Sequence, residues 1–351
     1  MAHNPPRIDL FSDTKTRPST EMRKAMCAAE VGDEQADEDP TTISLCEIVA
    51  DLMGHEKALF LPSGTMCNQI ALAVHCNLGD EIIADETSHI FNNEVGGASA
   101  IAGAMIRPIE GQNGIFTASQ LHDAVRPPLR HSPKSRVVVV EQTSNVGGGS
   151  VWTLETLNSI KDIARNNDLI VHMDGARLMN AVVASGIPAK DYASCTDTAW
   201  IDLSKGLGCP IGGVLTGTRA FIDEAWLWKQ RLGGAMRQSG MMAAAGIFAL
   251  KNNVSRLAED HENAQVFVER LSQIDGIELK SKNIETNIIF FKVNTLNINA
   301  VQLSSSLLDQ GIRINVTGEN SVRAVTHMDV DRKSVIEAAD AIGQILLRNT
   351  S

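Results

Sequence analysis

Short apolar runs alternate with amphipathic stretches through most of the chain. Runs at 81–84, 104–109, 137–141, 169–173, 198–203 and 213–216 are rich in Ile, Val, Leu and Ala, as strands buried on both faces are. Between them the clearest helical spacing falls at 154–166, where Leu154, Leu157, Ile160 and Ala164 recur at three- and four-residue steps. Helices are also expected over 19–29 and over 41–53, the second with Ile43, Leu45, Ile48, Val49 and Leu52 near one face. A shorter apolar run, 58–61, stops at Pro62, and Ser63, Gly64 and Thr65 then have the chemistry of a turn that opens a helix. Met66, Ile70, Ala71 and Val74 continue at helical spacing.

This alternation predicts an α/β fold with a mostly parallel sheet covered on both faces. Ligands in such sheets sit beyond the carboxyl ends of the strands, where Thr143, Asp174, Ser204 and Lys205 fall. A long helical region is expected from 220 to 262, broken by GGAMRQSG at 233–240. From Gly276 the pattern changes to a strand at 288–293, a helix at 299–309, a strand at 322–326 and a closing helix at 331–347. Residues 1–20, with Pro5, Pro6 and Pro18, read as an extended arm. The expected organisation is therefore an arm at 1–20, a large domain at 21–250 and a small α+β domain at 251–351.

Composition narrows the partners. The 351 residues are 43% hydrophobic and 21% charged, enough apolar content for a sizeable core. A net charge of -11 argues against nucleic acid and anionic membrane surfaces. No apolar run reaches the about 20 residues of a membrane span, and MAHNPPRIDLFSD lacks the apolar core of a signal peptide. Six cysteines without a CxxC pair suggest a reduced, cytoplasmic setting with thiols acting as small core hydrophobes.

The densest chemistry lies in TAWIDLSKGLGCPIGG at 198–213. Its apolar run ends at Ser204 and Lys205, and Gly206, Gly208, Gly212 and Gly213 let backbone approach a ligand. A lysine there either snorkels or pairs with a carboxylate such as Asp202, or it is desolvated for covalent chemistry with a carbonyl. The Ser63–Thr65 turn offers N–H groups, hydroxyls and a helix start, which suits a phosphate, although helices also begin this way to cap themselves. Asp174 ends a strand and reads as a helix cap or a ligand carboxylate. His172 and Asp174 share one strand face, but no third ligand type lies close in sequence, so no metal is expected. A lysine for a Schiff base, a carboxylate that keeps a heteroaromatic nitrogen protonated and a phosphate turn are together the equipment of pyridoxal phosphate.

The chain resembles the threonine aldolases of the aspartate-aminotransferase superfamily, fold type I of the pyridoxal-phosphate enzymes. The resemblance rests on RIDLFSDTKTRPS, VGDEQADEDPT, FLPSGTMCNQIAL, SHIFNNEVGGA, HMDGARLMNAVVASG, LSKGLGCPIGG, GGAMRQSGMMAAAGIFAL and VRAVTHMD, in the family's order along nearly the whole chain. It implies an aspartate-aminotransferase-like large domain, pyridoxal 5'-phosphate as cofactor, and cleavage of L-threonine or L-allo-threonine to glycine and acetaldehyde. Lys205 would bond the cofactor, Asp174 would meet its ring nitrogen, Gly64, Thr65 and Ser204 its phosphate, and His89 its ring face. Ser12, Arg177 and Arg323 would bind the substrate carboxylate, since a guanidinium fork matches it bidentately. His89 and His131 are the candidates for handling the substrate hydroxyl proton. Arg237 would reach a neighbouring subunit's site in a homotetramer, and the resemblance puts it and Arg177 among the cofactor-binding residues.

Departures from the family pattern fall on the side-chain pocket. VGDEQAD replaces a commoner VGDDVYG, which puts Ala36 for an aromatic and Asp37 for a glycine; Asn93 and Gln230 stand where some members carry an aromatic and a lysine. Rival readings are a phenylserine or β-hydroxyaspartate aldolase, an alanine or serine racemase on the same scaffold, and a cofactor-sensing regulator. The last needs a DNA-binding module that an acidic chain matched from Arg7 onward does not supply.

Overall fold

The computed structural model describes residues 5–350, so the first four residues of the expected arm lie outside it. The chain divides into a large unit, Pro18–Val254, and a small one that joins Met1–Arg17 to Ser255–Ser351. Strand β1 (Ile8–Asp9) belongs to the small unit. The large unit holds β2 (Lys57–Leu61), β3 (Glu81–Asp85), β4 (Met105–Ile109), β5 (Ser135–Glu141), β6 (Ile170–Asp174), β7 (Thr198–Asp202) and β8 (Gly213–Gly217). Strands β9 (Ile277–Leu279), β10 (Ile288–Val293), β11 (Ile312–Arg313), β12 (Asn315–Val316) and β13 (Ser321–Val325) return to the small unit.

The large sheet has the order β2-β8-β7-β6-β5-β3-β4. Strands β7, β6, β5, β3 and β4 are parallel, and β8 and β2 close one edge antiparallel. Every residue of β3, β7 and β8 is buried, which explains why their sequences are continuous apolar runs and not alternating ones. The run at 58–61, left without a place in the sheet by the sequence, is edge strand β2, with Leu59 opposite Leu215. Its partner lies far along the chain, and nothing local in the run reports such a pairing.

Side-chain caps start the helices. Asp39 accepts from the Thr42 N–H ahead of helix Pro40–Met53, which ends at Gly54 in the left-handed region, φ 65°. Ser63 caps helix Gly64–His75, and Thr153 caps Leu154–Asn166. The region expected to end near 262 is three helices, Arg219–Arg231, Gly240–Asn252 and Leu257–Leu271. The last continues because Ala264, Phe267, Val268 and Leu271 keep its apolar stripe buried.

In the small unit β12-β13-β10-β9 form an antiparallel sheet. Strand β1 pairs in parallel with β11, reinforced by an ion pair between Asp9 and Arg313. Phe267 and Phe291 meet edge to face at 6.4 Å in a core that includes Leu303, Leu307 and Ile342. Among the described residues no helix is long and apolar enough to cross a membrane.

Candidate active site

Four neighbouring parallel strands of the large sheet each end in a carboxylate: Asp85 on β3, Glu141 on β5, Asp174 on β6 and Asp202 on β7. All four are buried. Each receives donors from the segment that leaves its strand or an adjoining one. Asp85 accepts from the N–H of Thr87 at 2.8 Å and of Gly111 at 3.0 Å. Glu141 accepts from the N–H of His89 and of Asn145, both at 2.7 Å. Asp174 accepts from Ala176 N–H at 3.0 Å, and Asp202 from Ser204 N–H at 2.7 Å. Burial pushes the Glu141 carboxyl up to about 7, with the Asp174 charge adding to it against those two N–H bonds.

Asn68, in helix Gly64–His75, organises the centre of this edge. Its Nδ2 donates to Asp174 at 2.7 Å and to Glu94 at 2.8 Å. Its Oδ1 accepts from Trp200 Nε1 at 2.7 Å and lies 3.2 Å from His172 Nε2. Glu94 also bonds His89 Nδ1 at 2.9 Å, which leaves Nε2 as that ring's other nitrogen. Burial works against a charged His89, but the Glu94 hydrogen bond and the charges of Asp174, Glu94 and Glu141 outweigh it and raise its pKa above the ordinary histidine value.

The sequence made His172 and Asp174 a conceivable metal pair, set aside for want of a third ligand nearby. The structure instead commits His172 to Thr198 at 2.9 Å and to Asn68, and burial holds its pKa down at about 3. It is His89, Glu94 and Asp174 whose ligand atoms lie within 4.8 Å of one another, two of them from a segment remote in sequence. Asn68 donates to both carboxylates of that trio.

Lys205 follows β7 by three residues. Its Nζ pairs with Asp202 Oδ2 and stands 5.7 Å from the Trp200 ring centroid. Ser204 sends its N–H and its Oγ to Asp202 Oδ1, the latter at 2.8 Å. The tolerated-lysine reading and the anchor reading thus meet in one place. Lys205 has its carboxylate, and it also follows the strand next to that of Asp174.

Of the other expected residues, Gly64 and Thr65 open the helix that carries Asn68. A Cβ at Gly64 would lie 2.2 Å from the Trp200 ring, so only glycine lets this helix start lie on that indole. Arg177 is buried, with its backbone N–H on Gln142 O at 3.0 Å, at the start of helix Leu178–Ser185. Arg237 is exposed and paired with Asp33 at 2.7 Å. In the small unit, Ser12 is buried and accepts from Thr14 N–H at 3.2 Å, and Arg323 sits on β13 opposite Phe290 and Asn315.

His131 stands apart from these groups within the chain. It lies exposed in the turn before β5, at the amino end of that strand. The strand's seven residues, at about 3.3 Å each, carry the chain about 20 Å away to Glu141. Within the chain, His131 is not brought to Asp174 and Lys205. Ala36, Asn93 and Gln230, the departures noted for the side-chain pocket, are all exposed in the chain. Sequence reasoning missed Asn68, Glu141 and the role of Glu94. Both Asn68 and Glu94 stand in motifs that carry the resemblance, but the register of a helix or turn alone carries no sign of their partners.

The donor set fits pyridoxal phosphate. A buried carboxylate faces the site, a lysine stands just past the adjacent strand, and a helix start is held open by a glycine that nothing larger replaces. Thr143 Oγ1, buried just past β5, has no hydrogen-bond partner in the chain.

Comparison with known proteins places residues 9–294 under the model of the beta-eliminating lyase family. The chain is 40% identical over 333 residues to the low specificity L-threonine aldolase of Escherichia coli (strain K12), covering 95% of this chain and 97% of that one. It is 36% identical to low-specificity L-threonine aldolase 1 of Arabidopsis thaliana, over 97% of this chain and 96% of the relative. It is also 32% identical to the alanine racemase TOXG of Cochliobolus carbonum, over 97% and 88%. Among solved structures, Leishmania major threonine aldolase superposes with a TM-score of 0.83 at 17% identity, over 97% of this chain and 99% of that one.

Proposed function

We propose that this chain, which belongs to the threonine aldolase family of the beta-eliminating lyases, cleaves threonine-type β-hydroxy-α-amino acids to glycine and an aldehyde. The enzyme is a pyridoxal-phosphate-dependent carbon–carbon lyase. The observation that carries the reading is Asp174 at the end of one parallel strand and Lys205 just past the end of its neighbour, beside the Gly64 helix start.

Bound pyridoxal phosphate supplies an electron sink for the pair released from the Cα–Cβ bond. The chain's own residues do the rest. Lys205 is proposed as the covalent anchor, and Asp174, fixed by Asn68 and Ala176, as the carboxylate that holds a proton on the ring nitrogen. Gly64, Thr65 and Ser204 are proposed to bind the phosphate. Arg177 is proposed to receive the substrate carboxylate. The same role for Ser12 and Arg323 rests on the sequence resemblance.

His89 is proposed to take the proton from the substrate hydroxyl. With Nδ1 on Glu94, Nε2 is the basic nitrogen, and it works only when that ring is neutral. The raised pKa therefore sets the acid side of the profile: kcat/KM rises with pH through a midpoint above the ordinary histidine value of about 6.5. Glu94→Gln keeps an acceptor for Nδ1 and removes the negative charge, so the midpoint moves to lower pH while the plateau changes little. An unchanged acid limb would remove His89 from this role.

The racemase relative supports a second reading, since the same anchor serves Cα–H cleavage. A panel of L-threonine, L-allo-threonine, phenylserine, hydroxyaspartate and L-alanine separates the two. Glycine with matched aldehyde is the expected product, and D-amino acid without glycine sinks the aldolase reading. A cytoplasmic homotetramer, with Arg237 reaching a neighbouring subunit, is also proposed. The six free cysteines support the compartment and the exposure of Arg237 supports its reach; sedimentation reads the assembly.

A further inference from the structure

We infer that Asp202 governs the reactivity of Lys205, holding its Nζ in an ion pair whenever it is not bonded to the cofactor. Asp202 is a positioning residue: it acts through the lysine. The inference rests on the reading of Lys205 as the anchor.

Asp202 is 7% exposed, and its two oxygens have separate tasks. Oδ1 is turned back onto Ser204, taking its N–H at 2.7 Å and its Oγ at 2.8 Å. That short turn fixes the side chain, so Oδ2 is held toward Lys205 Nζ. The Trp200 face lies at 5.7 Å from the same nitrogen and also favours a cation. The buried thiols of Cys67 and Cys209 face this pair, both raised by burial and by the Asp202 charge, and Cys67 also feels Asp174, Glu94 and Lys205.

An amine attacks a carbonyl through its lone pair. The nitrogen bonds to the aldehyde carbon, and the aldehyde oxygen leaves as water. An ammonium must first release a proton to solvent. A carboxylate at ion-pair distance favours the charged form and so slows every such reaction. Two aldehydes are relevant here: that of the cofactor and the aldehyde product of cleavage. Asp202 thus sets the rate at which Lys205 captures its cofactor, and shields the freed lysine from capture by product.

The test uses the full-length protein stripped of cofactor. In one arm, acetaldehyde with cyanoborohydride, which delivers hydride to the C=N carbon, ethylates lysines, and peptide mass spectrometry follows Lys205. In the other, pyridoxal phosphate is added and trapped by borohydride at timed points. Asp202→Asn keeps an Oδ1 acceptor for Ser204 and removes the charge. At pH 7 both rates at Lys205 should rise about tenfold, with the other lysines unchanged. Asp202→Ser, smaller and also neutral, must move both rates the same way, and it carries the test if the asparagine variant unfolds. Equal rates in wild type and a folded variant overturn the inference. A wild type that takes pyridoxal phosphate elsewhere than Lys205 overturns the anchor reading and the inference with it. The acetaldehyde arm reads Asp202 alone.

Discussion

Lys205→Ala should lose covalent cofactor and nearly all turnover. The alanine has no amine, so a borohydride-treated sample should show no cofactor mass on the 198–213 peptide. We expect kcat to fall by at least about 10⁴-fold, the equivalent of about 5.4 kcal/mol of transition-state stabilisation. The fold should survive. Lys205 is partly exposed and pairs with Asp202 at the end of its strand. Normal turnover, or an unchanged adduct mass, would end the anchor assignment.

Asp174→Asn should separate binding from chemistry. Asparagine is nearly isosteric and keeps an oxygen for Ala176 or for Asn68, so cofactor content should stay near that of wild type. What it lacks is the charge that holds a proton on the ring nitrogen. A unit charge pair at about 4 Å is worth about 4 kcal/mol at an effective dielectric of 20. That corresponds to about a 10³-fold loss in kcat. The removal of one acid should also relieve Glu141, whose pKa is raised partly by Asp174. Equal activity in this variant would remove the electron-sink role from Asp174.

The strand ends were legible because parallel strands buried on both faces read as continuous apolar runs, and each run here stops at a polar residue. The Ser63 cap and the Thr153 cap are local chemistry, and both stand where sequence put a helix start. What could not be read is what joins distant segments. Strand β2 finds Gly213–Gly217, and two-residue β1 finds Ile312 and Arg313, with no periodic signal in either case. The same holds within the site. Asn68 is one polar residue among apolar neighbours in a helix, and only the fold brings it against Asp174, Glu94, His172 and Trp200. His131 shows the converse. A residue type with the right chemistry lies at the amino end of its strand.

Asp85, Glu141, Asp174 and Asp202 crowd negative charge along one sheet edge. Backbone N–H groups, Asn68 and Lys205 offset part of the mutual repulsion, and a ligand carrying a protonated ring offsets more. The cofactor is then also a folding ligand. At a free concentration of a hundred times its Kd it would add about 2.7 kcal/mol to the stability of the chain. The edge that prepares the enzyme for chemistry thereby makes its heat resistance depend on vitamin supply: holoenzyme and stripped protein should melt as two distinct species.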